Sequence, residues 1–519
     1  MTRTDFRNSG WHAVHAAVTS AVLLIFSFPN FKSFFLAWIA LVPMLVMIAR
    51  RPSPLRAFVL GCAVGTASFY GTCYWLTYSM IHYGGLPTLV AYLLLIPGAL
   101  ILGIFPGCFA WLLAVAIRRW GNKALLLAPV FWTALEWLRL IVTGQLWNAI
   151  GYSQAYHPIL IQAANWGGIY AVSFFILAIN AAIALVLIER TSKTILIAIA
   201  VLLVVASLMG ISQFTRTLRR SYTMPAVNVV AVQPNVPMKL DKSVDEMNDL
   251  LERHWSMSRN ALQNLPHDNL PRLVIWPESP MNFTYASDKA FQAQLAAFAK
   301  ENHTSLLFNS LEPAGANGFY NSALLINEDG RLISQYDKIR LMPFGEYVPL
   351  PQWLPGASLI RGMVGDFTPG DKFTLIPFGE YRAGVFICIE SAYPWIARSL
   401  TNEGADVLIN ISNDGYLGPT AVMRQHLANV IFRAVENGRT MVRVTNTGLT
   451  AYIDSEGNVK EQTVPFQADV RVWQVSPSLV GSTFYSRHGD IFVQLCALIT
   501  LIVLIVTIRS AFSVKSVAN

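Results

Sequence analysis

The stretch GVFICIES, residues 384–391, decides how the polar part of this chain folds and what chemistry it carries. Its apolar residues 385–387 are typical of a short buried strand, and the sequence AYP at 392–394 ends that strand. Cys388 follows the strand directly, so its thiol is expected to be held rigidly and to face a cleft. The competing interpretation is a buried structural cysteine, which is the usual role of a lone cysteine.

Two other strand ends carry the groups that a reactive thiol needs. Glu278 ends the stretch LVIWPES, and Lys338 lies in YDKIRLMPFGEYVP. A carboxylate base, an ammonium group and a thiol together are sufficient for acyl transfer through a thioester. Taken singly, Glu278 is equally well a solvated carboxylate, and Lys338 an ion-pair partner of Asp337. The three together predict a Glu-Lys-Cys active site.

The composition indicates a membrane protein with a large polar part. The chain has 519 residues, of which 54% are hydrophobic and 13% charged, whereas soluble domains contain about 25% charged residues. The net charge is +8, but many basic residues lie in short loops between apolar segments, where membrane topology explains them. We find no basic stripe with interleaved aromatic residues, so no nucleic-acid partner is predicted. The spacing of His and Cys fits no metal-ligand pattern, so neither a metal nor another cofactor is expected.

Apolar segments long enough to cross a bilayer recur along the first 220 residues, and another closes the chain at 491–508. The sequence therefore predicts a polytopic α-helical membrane domain with eight transmembrane helices. Within one of them, Glu136 and Arg139 are three residues apart and are expected to form a structural ion pair. The first seven predicted spans lie at about 11–28, 34–49, 57–78, 88–117, 124–142, 166–188 and 194–212.

Basic residues mark alternate loops and set the predicted orientation. The loops at 50–56, 118–123 and 190–193 contain several Arg or Lys residues, whereas those at 79–87 and 143–165 contain none. The positive-inside rule therefore places both termini in the cytoplasm and the polar region outside it. An unpaired cysteine is a liability in an oxidising compartment. Because Cys388 is the only one of the five cysteines in the polar region, the nucleophile interpretation is favoured.

The polar region, residues 225–475, shows the alternating strand and helix patterns of an α/β domain. It follows a membrane domain at 1–220 and precedes a transmembrane helix with a cytoplasmic tail at 485–519. Within it, the pair 413–414 is assigned to a structural turn. The pair Arg439 and Arg443 is interpreted either as a contact for anionic lipid headgroups or as part of a solvated face.

Four motifs, VIWPES, YDKIRLMPFGEYVP, FICIES and LINISNDGYLG, occur in an order that resembles the nitrilase superfamily. With seven spans before this domain and one after it, the chain resembles the bacterial apolipoprotein N-acyltransferases of that superfamily. The resemblance implies an αββα sandwich in which Glu278 is the general base, Lys338 stabilises the oxyanion and Cys388 is the nucleophile. It also implies supporting roles for Glu346 and Glu390.

The resemblance implies transfer of a fatty acyl chain from a membrane phospholipid to the α-amino group of a diacylglyceryl-cysteine at an apolipoprotein N-terminus. The implied partners are the phospholipid donor, the apolipoprotein acceptor and the lipid bilayer of the bacterial inner membrane, with the catalytic domain on the periplasmic side. Two alternatives stay open: a membrane-tethered amidase, and a non-catalytic receptor with a degenerate nitrilase domain. Two positions depart from the family pattern, Ile389 in place of Tyr and Leu240 in place of Trp, and both bear on substrate preference.

Overall fold

A computed structural model gives the fold in two compact units. The first comprises Met1–Arg219, Thr420–Ala428 and Arg487–Asn519, and the second comprises Arg220–Pro419 and Asn429–Ser486. The structure describes residues 3–50, 53–219, 224–239, 242–266, 268–278, 280–315, 318–348, 367–478 and 481–517.

All described secondary-structure elements of the first unit are helices, and the longest of them have the length and composition of membrane spans. Its helices before residue 220 are α1 (Arg3–Ser27), α2 (Val42–Ala49), α3 (Pro54–Thr72), α4 (Leu76–His82), α5 (Thr88–Trp120), α6 (Ala128–Thr143), α7 (Pro158–Ile161), α8 (Ala164–Glu189) and α9 (Ser192–Arg219).

Within the described ranges, four helical stretches are long and apolar enough to cross a bilayer: Thr88–Trp120, Asn122–Thr143, Ala164–Glu189 and Ser192–Phe214. The helices α3 and α4, bent by 53° at their junction, make a fifth if they are counted as one span. These helices also expose large apolar side chains, as on α9, an arrangement that suits a lipid environment. The predicted polytopic helical membrane domain is therefore confirmed, with four or five spans by length and composition, while the count of eight stays a prediction.

Small residues bring α3 and α5 together. A Cβ atom added to Gly61 would lie 2.3 Å from the carbonyl oxygen of Pro106, and one added to Gly103 would lie 2.3 Å from Oγ1 of Thr66. Only glycine allows the two backbones to come this close, which is a common way for helices to pack where no water drives them together.

The described strands of the second unit form two six-stranded sheets. The strand order is β12-β1-β2-β3-β4-β5 in one sheet and β11-β10-β9-β8-β7-β6 in the other. Neighbouring strands are parallel from β1 to β3 and from β7 to β9, as expected for an α/β domain. The strands are β1 (Val227–Gln233), β2 (Arg272–Ile275), β3 (Ser305–Ala314), β4 (Gly318–Ile326), β5 (Leu332–Asp337), β6 (Leu375–Phe378), β7 (Tyr381–Ile387), β8 (Val407–Ser412), β9 (Thr440–Thr445), β10 (Ala451–Ile453), β11 (Val459–Gln462) and β12 (Asp469–Val475).

The two sheets pack face to face and are covered by helices on their outer faces. Val229 of β1 lies in a core shared with Val385 of β7, whereas its neighbour Val230 faces Trp255 of a helix. Because both faces of such strands are buried, their sequences are apolar throughout rather than alternating. The predicted αββα layering is thus confirmed. The helices are α10 (Val244–Gln263) and α11 (Lys289–Glu301) on the first sheet, and α12 (Pro394–Asn402) on the second.

The remaining helices are α13 (Val422–Asn437), α14 (Phe484–His488) and α15 (Ile491–Val517). Arg439 and Arg443 lie between α13 and β10. For these two arginines, both the lipid-headgroup interpretation and the solvated-face interpretation are wrong. Arg443 is completely buried and pairs with Asp414 at 2.9 Å, and the buried Arg439 donates a hydrogen bond to the carbonyl of Ala405. Neither side chain lies on a solvated face or at a lipid surface, because each satisfies an acceptor inside the protein.

Candidate active site

Cys388 lies immediately after β7, as the sequence predicts, and its backbone is strained. Its φ angle is +52°, in the left-handed region that residues other than glycine rarely adopt. The chain then makes a short 3-10 turn over Cys388–Ala392 before α12 begins. Strain of this kind persists only where the surroundings enforce it, and it is common at functional residues. The turn leaves Cys388 partly exposed at the strand end.

The carboxylate of Glu390 enforces this turn from inside. Its Oε2 accepts a hydrogen bond from the N–H of Ile387 at 2.6 Å, and its Oε1 accepts from the N–H groups of Ile339 at 2.7 Å and Arg340 at 3.0 Å. The hydroxyl of Tyr336 also donates to it at 2.9 Å. Burial raises the pKa of Glu390 to about 7, and these hydrogen bonds oppose that rise. Glu390 therefore ties the end of β5 to the end of β7.

Lys338 lies directly after β5 with its side chain almost completely buried, only 1% exposed. Its Nζ lies 3.3 Å from Oε1 of Glu278 and 2.9 Å from the carboxylate of Glu346. Its own N–H donates to the carbonyl of Asn321, and its carbonyl accepts from the N–H of Gly370, each at 2.8 Å. Backbone and side chain are both fixed, so the ammonium group has a defined position.

The ionisation of Lys338 and Cys388 follows from this crowding. Burial alone would lower the pKa of Lys338, but the carboxylates of Glu278 and Glu346 raise it well above its usual value, so the ammonium is charged at neutral pH. Burial and then the negative charge of Glu278 raise the pKa of the Cys388 thiol, against a smaller opposite effect of Lys338. The thiol is therefore protonated at neutral pH, and a base has to remove its proton before it can attack.

Glu278, three residues after β2, is the carboxylate whose charge acts most strongly on that thiol. Its Oε1 accepts from Lys338 and from the side-chain amide of Asn321 at 2.9 Å. Its Oε2 accepts from the backbone N–H of Asn413 at 3.0 Å. The side chain is 14% exposed, so it is neither buried without partners nor a freely solvated carboxylate.

Asn321 is a site residue that the sequence analysis did not identify. Its Nδ2 donates to Glu278 and, at 2.6 Å, to Glu346, while its Oδ1 accepts from the side chain of Asn309 at 2.8 Å. That last bond fixes which end of the amide faces the two carboxylates. The signal was present in FYNSALLI, where one amide interrupts an otherwise apolar strand. The turn assignment for Asn413 was likewise incomplete, because its N–H holds Glu278.

Glu346 is held by a turn in the loop PFGEY. Its Oε2 accepts from the N–H of Met342 at 2.7 Å. The N–H of Phe344, a residue with φ of +61°, donates to the carbonyl of Tyr347 at 2.7 Å and closes the turn. Glu346 thus contacts Lys338 as Glu278 does, and the two carboxylates share one ammonium group.

The structure brings the predicted residues together. Glu278, Lys338 and Glu346 are in direct contact, and the charges of Glu278 and Lys338 both act on Cys388. Ile389 lies in the turn of Cys388 and is partly exposed, while Leu240 lies outside the described residues. A protonated thiol, a carboxylate acceptor and a fixed cation are what a thioester mechanism requires.

Inside the first unit, Glu136 and Arg139 of α6 are both buried and line one cavity of about 50 Å³. The two charges act on each other, but the expected direct ion pair is not formed, because other groups are the hydrogen-bond partners of these two described side chains. Glu136 accepts from Trp132 and from the N–H of Ile150, and Arg139 donates to the carbonyl of Trp147 at 2.7 Å. Each of the two side chains therefore bonds to a backbone group of the loop after α6.

Comparisons with known proteins agree with both units. The Carbon-nitrogen hydrolase family matches residues 229–485, and the Apolipoprotein N-acyltransferase N-terminal domain family matches residues 20–182. An amidase from Nesterenkonia sp. covers 53% of this chain and 98% of its own, at 16% identity and a TM-score of 0.38.

Relatives match along nearly the whole chain. Apolipoprotein N-acyltransferases from Geobacter metallireducens and Azotobacter vinelandii are 33% and 32% identical to it, each match covering 92% of both chains. One from Chromobacterium violaceum is 30% identical over 94% of this chain and 93% of its own. The chain therefore belongs to the apolipoprotein N-acyltransferase family.

Proposed function

We propose that this protein transfers an acyl chain from a membrane phospholipid to the N-terminal α-amino group of diacylglyceryl-cysteine in bacterial apolipoproteins. The observation that carries the proposal is the position of Cys388, a strained and protonated thiol acted on by Glu278 and Lys338. Relatives named as apolipoprotein N-acyltransferases match this chain through the helical unit as well as the sheets. The function requires lipid substrates, which explains why an apolar helical unit accompanies the catalytic fold.

In the first half-reaction, Glu278 takes the proton of the Cys388 thiol, and the sulfur attacks an ester carbonyl of the phospholipid. The electron pair of the carbonyl moves to its oxygen, and the charged Lys338 stabilises that oxyanion. When the intermediate collapses, the glycerol oxygen leaves with the proton from Glu278. The products are a lysophospholipid and an acyl thioester on Cys388.

In the second half-reaction, the α-amino group of the lipoprotein attacks the thioester. Glu278 removes a proton from the amine, and Lys338 again stabilises the oxyanion. Collapse forms the amide and expels the thiolate of Cys388, which recovers the proton. Glu346 and Glu390 do not react: Glu346 positions Lys338, and Glu390 positions the strand ends.

An amidase using the same three residues would pass the acyl group to water, and a receptor would need no reactive thiol. Neither alternative accounts for relatives that match both units and are named acyltransferases.

The test is the mass of a model lipoprotein N-terminus. Cells that lack their own N-acyltransferase should gain one amide-linked acyl chain on the lipoprotein when this chain is expressed. A Cys388→Ala variant present at the same level in the membrane is the matched control. Release of free fatty acid without acylated lipoprotein would instead favour the amidase.

We further propose eight spans, with the membrane domain at 1–220, an extracytoplasmic catalytic domain at 225–475 and a transmembrane helix within 485–519. The alternation of basic and neutral loops supports this arrangement. A reporter fused after residue 475 should be active on the periplasmic side, and one fused after residue 519 on the cytoplasmic side. If both reporters were found on the same side of the membrane, the count of eight spans would be wrong.

A further inference from the structure

The guanidinium of Arg340, two residues after Lys338, is fixed by aromatic rings. Its Cζ lies 5.2 Å from the centre of the Trp395 ring and 5.8 Å from that of Tyr393. Phe373 packs edge-on against Trp395, with ring centres 6.1 Å apart. Cation–π contacts hold a guanidinium in place without using its N–H donors. Among the described residues, no acidic side chain pairs with it and no acceptor takes a hydrogen bond from it.

The backbone places this cation beside the nucleophile. The N–H of Arg340 donates to Oε1 of Glu390 at 3.0 Å, and Glu390 is two residues after Cys388. The N–H of Tyr393 donates to the carbonyl of the same Glu390 at 3.0 Å. The backbone of Arg340 is therefore bonded to the turn that presents the thiol, Tyr393 ends that turn, and the side chain of Arg340 is exposed.

The two cations near the thiol have different surroundings. Lys338 is buried between two carboxylates, so its charge is largely neutralised by the protein itself. Arg340 is instead surrounded by aromatic rings, which supply no compensating charge. Its planar set of N–H donors matches the oxygens of a phosphate group. Burial raises the pKa of Tyr393 to about 12, so its hydroxyl stays neutral beside the guanidinium. The surroundings of Arg340 favour an anion from outside the chain.

We propose that Arg340, held over Trp395 and Tyr393, binds the phosphodiester group of the donor phospholipid while an ester carbonyl of that lipid lies at Cys388. The inference rests on the proposed function and identifies which part of the donor is recognised. In a glycerophospholipid only the glycerol carbons and their oxygens separate the phosphorus from the ester carbonyls. A cation that recognises the phosphate must therefore lie close to the nucleophile, as Arg340 does. Recognition of the phosphate makes phosphate-free esters poor donors.

The test compares two acyl donors on the full chain in detergent micelles. Adduct formation on Cys388 is followed by intact-protein mass spectrometry with phosphatidylglycerol and with a p-nitrophenyl acyl ester, which has no phosphate. Arg340→Ala should raise the half-saturating phosphatidylglycerol concentration about tenfold or more, whereas the reaction with the p-nitrophenyl ester changes less than about twofold. Arg340→Lys should be intermediate, because an ammonium keeps the charge but loses the paired donors. Arg331→Ala, which removes an exposed arginine near the start of β5, is the matched control.

A binding measurement keeps this result separate from the reaction. In a Cys388→Ala background no thioester forms. Native mass spectrometry can then compare the affinity for phosphatidylglycerol with the affinity for diacylglycerol, which lacks the phosphate. Arg340→Ala should abolish the preference for phosphatidylglycerol, whichever acceptor the enzyme uses. Equal losses for both acyl donors, or an unchanged preference, would make Arg340 a packing residue and overturn the proposal. Displacement of the lipid by inorganic phosphate would assign the site to free phosphate instead and would also overturn it.

Discussion

Replacing Cys388 with Ser should abolish the acyl adduct that forms when the enzyme is incubated with phospholipid alone. The hydroxyl is nearly the same size as the thiol, so the turn keeps its shape. A serine hydroxyl is far less acidic than a thiol, however, so the attacking anion is far harder to form. Formation of the adduct should fall by about 10⁴-fold or more, the scale on which loss of a nucleophile acts in comparable enzymes. The measurement is intact-protein mass spectrometry before and after hydroxylamine, which cleaves thioesters.

The matched control removes every other thiol. Cys62, Cys73, Cys108 and Cys496 lie in or directly after helices of the first unit, and their joint replacement should leave most of the adduct in place. If the Cys388→Ser protein still carried a hydroxylamine-sensitive acyl group, another residue would be the nucleophile.

The main features of the catalytic fold were predictable because they depend on local patterns. Val385 and its neighbours form an apolar run with a breaker behind it, which is sufficient to place Cys388 at a strand end. Glu278 and Lys338 could be predicted for the same reason, since each follows an apolar strand. The positions of Cys388, Glu278 and Lys338 after their strands were thus predictable from three stretches and their order.

The contacts that hold the site depend on long-range pairing and could not be predicted in the same way. Asn321 reaches Glu278 and Glu346 only because β4 pairs with β5 in one particular register. Arg443 looks like a surface residue in the sequence, and its partner Asp414 is 29 residues away. Short sequence patterns report burial and periodicity, whereas these pairings are set by the packing of whole sheets.

The ion pair expected inside α6 shows a second limit. The spacing of Glu136 and Arg139 allows contact, but each instead satisfies a backbone group of the following loop. A buried charge takes the partner that compensates best for its lost hydration. Helix spacing alone carries no information about the loop, so the choice between these partners becomes visible only in the structure.

Replacing Glu278 with Gln should change the pH dependence of the adduct as well as its rate. The amide keeps the size of the side chain and one acceptor oxygen but cannot take the proton of the thiol. Near neutral pH the rate of adduct formation should fall by about 10²- to 10⁴-fold, the usual contribution of a general base. Only the small thiolate fraction of Cys388 would then react.

The thiolate fraction of Cys388 grows roughly tenfold for each pH unit below the thiol pKa. The rate of adduct formation by the Glu278→Gln variant should therefore rise steeply from neutral pH to about pH 9. Loss of the Glu278 charge assists this recovery, because that charge contributes to the raised pKa of the thiol, while the effect of burial persists. The wild-type rate should change little over the same range, since Glu278 takes the proton of the thiol directly and the reaction does not depend on free thiolate.

Lys338→Ala is the comparison that separates the two roles. Losing an oxyanion stabiliser should lower the rate of adduct formation by roughly a hundredfold or more at every pH. Higher pH should not restore this rate, because the missing group is a cation and not a base. Rates are measured by quenched mass spectrometry across the pH series for wild type and both variants. A Glu278→Gln enzyme that kept a flat, wild-type pH profile would show that another group takes the proton, and Glu278 would then act only by holding Lys338 and Asn321 in place.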